Sequence, residues 1–84
     1  MSYRYALDGD VAESILNLSA RQRDELIRVF RSLADDPFQL GETSFADSSL
    51  RSIQKKRYGR WIISYWPDDP VKELRIVGVQ RAAR

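Results

Sequence analysis

The sequence contains no cysteine and no histidine among its 84 residues. The first absence excludes a disulfide framework, thiolate metal sites and a cysteine nucleophile. The second removes the most frequent general base and zinc ligand, and with them any serine–histidine dyad. We therefore expect neither a bound metal nor a cofactor.

Long apolar runs are also missing. No stretch approaches the roughly 20 residues that cross a bilayer, and the opening residues Met1–Tyr5 have no apolar segment typical of a secretion signal. We therefore expect a soluble cytoplasmic protein without membrane contact. The apolar share of 43% and the charged share of 31% are typical of a folded globule, and the length suits one domain over residues 1–84.

Charge is distributed unevenly along the chain. Residues 1–50 carry five basic and nine acidic side chains, whereas residues 51–84 carry nine basic and three acidic ones. A basic second part of this kind indicates a surface that binds an anionic partner. Nucleic acid is the leading candidate, and an acidic protein would fit the same field.

The chain begins with a strand signal followed by a helix signal. Apolar residues alternate from Tyr3 to Leu7, which is typical of a half-buried strand. Asp10 and Glu13 have the spacing of a capping box, in which the first side chain accepts free N–H groups of the first helical turn. This spacing predicts a short helix over residues 11–17.

A second, longer helix follows at once. Ser19 and Gln22 repeat the capping spacing, and the apolar residues within Leu26–Ala34 form a stripe with helical period. The proline at position 37 ends the helix, because the residue before a proline is disfavoured in the helical region. Residues 38–49 show no periodicity and predict a surface loop.

The remaining chain has strand character. Residues 50–57 predict a charge-rich strand, and Tyr58-Gly59 marks a turn. The segment Trp61–Trp66 is apolar on both faces, as in a central strand. The composition of residues 67–70, which include two prolines and two aspartates, predicts a turn, and residues 74–79 predict the last strand.

The predicted order is β-α-α-β-β-β: an N-terminal strand, a helical hairpin and a three-stranded antiparallel meander in one α+β domain. Alternate residues from Trp61 to Tyr65 share one face of the sheet, and those from Ile62 to Trp66 share the other. We expect Trp61 and Tyr65 to lie in the core beneath the helices. Gly78, inside the last strand, predicts a bulge or a close approach.

Three segments resemble the RelE/ParE superfamily of toxins from bacterial type II toxin–antitoxin modules. They are the end of the second helix, Leu33–Phe38, the hairpin Tyr58–Tyr65 and the terminal segment Leu74–Arg81. The resemblance covers nearly the whole chain and implies the RelE/ParE fold. It also implies a cognate antitoxin protein, which would add a strand to the sheet edge or lay a helix into an apolar groove.

Two activities follow from the resemblance. Members of the RelE kind cut mRNA on the ribosome without a metal, and the RNA supplies its own nucleophile, the 2′-hydroxyl. The protein then has to orient the RNA, move protons and stabilise the negative charge of the phosphorane, for which the guanidinium group is well suited. Members of the ParE kind poison DNA gyrase instead.

The resemblance also implies site residues in the basic part of the chain. The catalytic candidates are Lys55, Lys56, Arg60 and Arg81. The nucleic-acid-binding candidates are Arg51, Arg57, Tyr58 and Arg84. Arginines would stabilise the phosphorane and a lysine would move protons, with Arg84 the alternative to Arg81 and Tyr58 placed for stacking or proton relay. No tyrosine follows Tyr65, although family members often carry one in the C-terminal tail.

Three functions stay open at this point. The chain is a toxin that cleaves mRNA, a gyrase poison without nuclease activity, or a non-toxic module of the same fold that binds nucleic acid or protein. The basic run from Arg51 to Arg60 suits each of these, and it also suits a solvated edge strand that its charges protect from aggregation.

Overall fold

Five strands and two helices are found in residues 2–82, the part of the chain that this computed structural model describes. In chain order they are β1 (Arg4–Leu7), α1 (Gly9–Leu16), α2 (Ala20–Asp35), β2 (Thr43–Ala46), β3 (Ser52–Tyr58), β4 (Trp61–Asp68) and β5 (Glu73–Arg81). Neither helix combines the length and the apolar character that a bilayer crossing requires, as far as the described residues extend.

The strands form one mixed sheet in the order β1-β5-β4-β3-β2. β1 lies parallel to β5, and the other neighbours are antiparallel. This arrangement confirms the predicted α+β order, in which a strand and a helical hairpin precede an antiparallel meander. The N-terminal strand joins the sheet beside the last strand, so residues far apart in the sequence meet at that edge.

α2 begins at the capping box that the sequence predicts. The Gln22 N–H donates to Ser19 Oγ at 3.2 Å, and the Ser19 N–H donates to Gln22 Oε1 at 3.3 Å. The helix ends at Asp35, two residues before Pro37, which agrees with the restriction that a proline places on its predecessor.

The capping box predicted at Asp10 does not form. α1 begins at Gly9, so Asp10 lies inside the first turn, where its carbonyl accepts the Ser14 hydroxyl at 2.9 Å. Asp8 takes the cap position, but its side chain makes no capping hydrogen bond. Its carboxylate pairs with Arg75 at 3.4 Å instead, so a contact to β5 replaces the cap.

The core lies between the helices and one face of the sheet. Its buried members are Val11, Leu26, Phe30, Leu33, Trp61, Ile63, Tyr65, Leu74 and Ile76. Trp61 and Tyr65 are 4% and 0% exposed, which confirms their predicted place in the core. Each fully buried large apolar side chain contributes about 1.5–3 kcal/mol relative to an exposed one, so this layer holds the sheet in place.

We call the sheet face opposite the helices the open face. Lys55 pairs with Ser64, and Arg57 pairs with Ile62, across β3 and β4. Directly paired residues project to the same side, and Ile62, Ser64 and Trp66 alternate with the core residues of β4. The open face therefore carries two cations of β3 opposite the centre of β4.

Gly78 lies at a bulge between β4 and β5. Ser64 pairs with Gly78 and Tyr65 pairs with Ile76, which leaves Val77 as the extra residue. A Cβ on Gly78 would lie 3.2 Å from the Ser64 side chain. Both features that the sequence predicts at Gly78, a bulge and a close approach, are confirmed.

The loop predicted over residues 38–49 is wrong in part, because Thr43–Ala46 forms the edge strand β2. Its pairing with β3 runs from Thr43 and Lys55 to Ala46 and Ser52, yet all four residues of β2 are exposed. A strand without a buried face has no hydrophobic alternation to mark it in the sequence. Backbone pairing alone creates this element.

The turn predicted over residues 67–70 begins later than expected. β4 continues through Asp68, which pairs with Glu73 at the start of β5. The chain reverses through a 3₁₀ turn, Asp69–Val71, and through Lys72 at a φ of 55°. The composition predicts the reversal, whereas its place depends on how far the two strands pair.

Candidate nucleic-acid interface

A pocket of about 350 Å³ lies on the open face where the segment before β2 meets β3 and β4. Its lining residues are Glu42, Thr43, Lys55, Arg57 and Ile62. Two of these five residues are cations and one is a carboxylate, so the pocket combines positive charge with a proton acceptor. That combination suits a phosphodiester and its neighbouring hydroxyl.

Backbone contacts hold Arg57 at the rim of this pocket. Its N–H donates to Glu42 Oε1 at 2.6 Å, and its Nε donates to the Gly59 carbonyl at 2.9 Å. Arg57 lies beyond the end of the β2–β3 ladder, so the Glu42 carboxylate takes the place of a strand carbonyl. The backbone contact holds the Glu42 carboxylate against β3, and both residues line the pocket.

Lys55 occupies the middle of the open face. Its Nζ lies 5.5 Å from the centre of the Phe45 ring on β2, within the range of a cation–π interaction. Phe45 is 45% exposed, so the ring orients the ammonium and still presents surface to solvent.

Arg51 lies near the other end of β3, next to β4. Its guanidinium carbon is 4.4 Å from the centre of the Trp66 ring. Asp47 accepts hydrogen bonds from the Nε of Arg51 at 2.8 Å and from its backbone N–H at 2.9 Å. These contacts, with the backbone hydrogen bond from Arg51 as the largest cause, lower the pKa of Asp47 below its ordinary value.

The other candidates lie on the helix side of the sheet. Lys56 Nζ donates to Gln39 Oε1 at 2.6 Å, and the Tyr58 hydroxyl donates to the same oxygen at 3.2 Å. The Tyr65 hydroxyl donates to the Gln39 carbonyl at 3.1 Å. Burial raises the pKa of Tyr65 to about 12 and also raises the pKa of Tyr58, so both hydroxyls stay protonated at neutral pH.

Arg60 and Arg81 both lie near Trp61, also on the helix side. Arg60 Nε lies 3.3 Å from Glu25 Oε1, which also accepts the Trp61 indole N–H at 3.2 Å. The Arg81 guanidinium carbon lies 5.4 Å from the centre of the Trp61 ring. A carboxylate of α2 thus offsets part of the charge here.

The structure therefore divides the sequence candidates into two groups. Arg51, Lys55 and Arg57 lie on or beside the open face. We call the second group, on the other side of the sheet, the helix-side cluster; it consists of Lys56, Tyr58, Arg60 and Arg81. Arg84 lies outside the described residues. The alternation of side chains along β3 separates Lys55 from Lys56.

Sequence reasoning missed Glu42 and Gln39 as members of these two groups. Both belong to the segment predicted to be a loop, and no local pattern relates them to residues about 15 positions away. Trp66 lies on the face that alternation in β4 predicts for it, opposite the core residues. Within residues 2–82, no three acidic side chains come together as a metal site would require.

Solved structures with a similar fold include three that contain a RelE toxin. The mycobacterial toxin–antitoxin complex RelBE2 matches with a TM-score of 0.79 at 17% identity, over 98% of this chain and 100% of that one. The RelE–RelB complex of Pyrococcus horikoshii matches with a TM-score of 0.74 at 15% identity, over 100% of this chain and 99% of that one. The isolated Escherichia coli RelE toxin matches with a TM-score of 0.73 at 15% identity, over 99% of this chain and 87% of that one.

No protein-family model matches the sequence, and no curated protein matches it. The likeness to the three solved structures extends over nearly the whole of this chain. At such low sequence identity it is a likeness of fold. The chain therefore has the fold of the RelE toxins.

Proposed function

We propose that this protein is the toxin of a type II toxin–antitoxin pair and that it cleaves mRNA on the ribosome without a metal. The observation that carries the proposal is the open-face pocket of a RelE fold, in which Lys55, Arg57 and Glu42 surround one cavity. Cations next to a carboxylate supply the charge stabilisation and the proton transfer that RNA cleavage needs.

The proposed reaction uses the nucleophile of the RNA. The Glu42 carboxylate accepts the proton of a 2′-hydroxyl, whose oxygen attacks the adjacent phosphorus. Arg57 and Lys55 stabilise the additional negative charge on the phosphorane, and the Lys55 ammonium donates a proton to the departing 5′-oxygen. The products are a 2′,3′-cyclic phosphate and a 5′-hydroxyl.

The helix-side cluster is the second candidate set for the same reaction. Arg60 and Arg81 would stabilise the phosphorane there, and Lys56 would move protons. The ion pair between Arg60 and Glu25 reduces the positive charge that this side presents, which is why we assign the pocket on the open face first.

The proposal includes a cognate antitoxin and a cytoplasmic site of action. Solved neighbours of this fold include complexes of RelE with RelB, and a basic surface on the toxin favours an acidic antitoxin segment. The ribosome and its mRNA lie in the cytoplasm, which places the activity there.

Induced expression in a bacterial host, with mapping of mRNA 5′ ends, tests the proposal. We expect growth arrest together with new 5′ ends inside coding regions, and relief of both by the Glu42→Gln variant. Glu13→Gln, the same change at an exposed position of α1, is the matched control and should remain toxic.

Other outcomes would replace the proposal with one of its alternatives. Growth arrest without new 5′ ends, accompanied by DNA damage and loss of supercoiling, would identify a gyrase poison. The pocket is also lined by the apolar residue Ile62, whose side chain can neither bind a phosphate nor move a proton, and this favours that candidate. Unimpaired growth at full induction would indicate a non-toxic binding module.

A further inference from the structure

We propose that the open face extends beyond the pocket into a base-stacking subsite for single-stranded RNA, formed by Arg51 on Trp66 and by Phe45 beside Lys55. The inference rests on the proposed function, since it supposes that the anionic partner is RNA. It assigns a binding role to two aromatic residues that take no part in the cleavage chemistry.

The first observation is the stacked pair of Arg51 and Trp66. The guanidinium carbon lies 4.4 Å from the ring centre, and the Arg51 side chain keeps 46% of its surface exposed. One side of the guanidinium plane therefore covers the indole while the group remains open to solvent. Arginine planes stack on bases as aromatic rings do.

The second observation is that the turn between β2 and β3 holds this guanidinium in place. Asp47 Oδ2 lies 2.8 Å from both the Nε and a terminal nitrogen of Arg51, so one carboxylate oxygen holds two nitrogens of the guanidinium. Asp47 Oδ1 accepts the N–H groups of Ser49 and Arg51, each at 2.9 Å. An arginine held in this way loses little conformational freedom when a base stacks on it.

The turn also contains an exposed residue with a left-handed backbone conformation. Leu50 has a φ of 63° and is 87% exposed. Its N–H donates to the Asp47 carbonyl at 2.9 Å, which closes the turn. This left-handed conformation is costly for a residue with a side chain, and it brings Arg51 back towards Trp66.

The third observation is that cationic side chains and aromatic rings lie next to one another along the open face. From Arg51 to Arg57 the strand covers about 20 Å at roughly 3.3 Å per residue. Arg51 lies against Trp66, Lys55 lies against Phe45, and Arg57 borders the pocket. A groove that carries cations for the backbone and rings for the bases is the general arrangement of single-strand sites.

Ring surfaces favour RNA over an acidic protein segment as the occupant. An acidic peptide would use the three cations but would gain nothing specific from flat aromatic faces, whereas every nucleobase can stack on them. The subsite lies farther along the same strands as the pocket, and Lys55 belongs to both. A chain bound to Lys55 and Arg57 can therefore reach it without a break.

The test measures binding of a fluorescent single-stranded RNA whose 2′-hydroxyls are methylated, so that cleavage plays no part. Binding to the full chain is followed by anisotropy at several salt concentrations. We expect Phe45→Leu to weaken binding roughly 5- to 150-fold, the range that loss of one base–aromatic stack produces. Trp66→Leu should weaken it by less, because it removes only the ring on which the Arg51 guanidinium rests.

Variants of Arg51 separate stacking from charge. Arg51→Lys should weaken binding while leaving the salt dependence unchanged, because the charge stays and the plane is lost. Arg51→Gln should also reduce the slope of log K against log salt by about one. Arg28→Gln, an equal change of charge on the exposed side of α2, should leave the affinity unchanged.

Equal affinities for wild type, Arg51→Lys and Phe45→Leu would overturn the subsite, even if Trp66→Leu failed to fold. Binding of a polyglutamate peptide without binding of RNA would overturn it in favour of an acidic protein partner. Failure of the subsite can be told apart from failure of the proposed function. Stacking without cleavage in cells removes only the nuclease, and cleavage with unaffected binding by the Arg51 and Phe45 variants removes only the subsite.

Discussion

At the scale of single residues, the close approach of Gly41 to β3 supports the pocket. Gly41 passes so close to β3 that a Cβ there would lie 2.1 Å from the Lys55 carbonyl oxygen. Its N–H donates to Gln54 Oε1 at 2.9 Å. The next residue, Glu42, borders the pocket, so the absence of a side chain at Gly41 is what lets Glu42 reach Arg57.

Replacing Gly41 with alanine should therefore destabilise the protein and displace Glu42. We expect the free energy of unfolding, measured by urea denaturation, to fall by about 1–3 kcal/mol, because backbone atoms have to move. Gly9→Ala in α1 is the matched control, since nothing lies within 4 Å of its added Cβ; it should leave stability unchanged or raise it by up to about 1 kcal/mol. Equal losses in the two variants would contradict this account.

The raised pKa of Tyr65 gives a pH dependence of stability. In the unfolded chain the hydroxyl ionises near pH 10, whereas burial raises the pKa in the folded chain to about 12. This difference in pKa contributes about 1.4 kcal/mol per pKa unit to the free energy of unfolding. The contribution is complete below pH 10 and is lost as the pH rises from about 10 to 12.

Urea denaturation of wild type and Tyr65→Phe at several alkaline pH values measures this contribution. The difference in the free energy of unfolding between the two proteins should shrink as the pH rises from 10 to 12. A constant difference over that range would show that the Tyr65 hydroxyl ionises alike in the folded and unfolded chains.

At the scale of elements, α2 depends on its capping box. Ser19→Ala removes the side-chain acceptor of the Gln22 N–H, and we expect a loss of about 0.5–2 kcal/mol in the free energy of unfolding. Ser32→Ala, at an exposed position in the last turn of the same helix, should be neutral or slightly stabilising, since alanine has the higher helix propensity. Thermal denaturation of both variants checks the difference.

The elements also show what the sequence could predict. α2 and β4 have complete local signals: a capping box with a helical stripe for α2, and a segment that is apolar on both faces for β4. α2 lies where its signal puts it, and β4 begins where predicted and continues two residues further. β2 has no such signal because all its residues are exposed. The start of α1 was missed because Asp8 binds Arg75, a residue of the last strand that no local pattern relates to it.

At the scale of the whole molecule, the excess of basic residues in the second part of the chain is divided by the sheet. Sequence reasoning treats Arg51–Arg60 as one basic run, but alternation sends Lys55 and Arg57 to the open face and Lys56 to the helix side. Composition predicts that a basic surface exists. Which cations lie together on that surface depends on the register of the strands, and the register is set by how β3 pairs with its neighbours in the sheet.

The two groups of cations make different predictions for cleavage. Lys55→Gln with Arg57→Gln removes the cations of the pocket, whereas Arg60→Gln with Arg81→Gln removes two cations from the helix-side cluster. Both double variants lose the same charge, so a general loss of attraction to the anionic ribosome affects them equally. A difference between them therefore reports the location of the reaction.

The most direct measurement is the rate of mRNA cleavage on purified, stalled ribosomes by these two double variants. The account predicts that the Lys55 and Arg57 pair is needed, with a loss of about 100-fold or more relative to the Arg60 and Arg81 variant, as when a group that stabilises transition-state charge is removed. Cleavage that survives loss of Lys55 and Arg57 but disappears with Arg60 and Arg81 would contradict it.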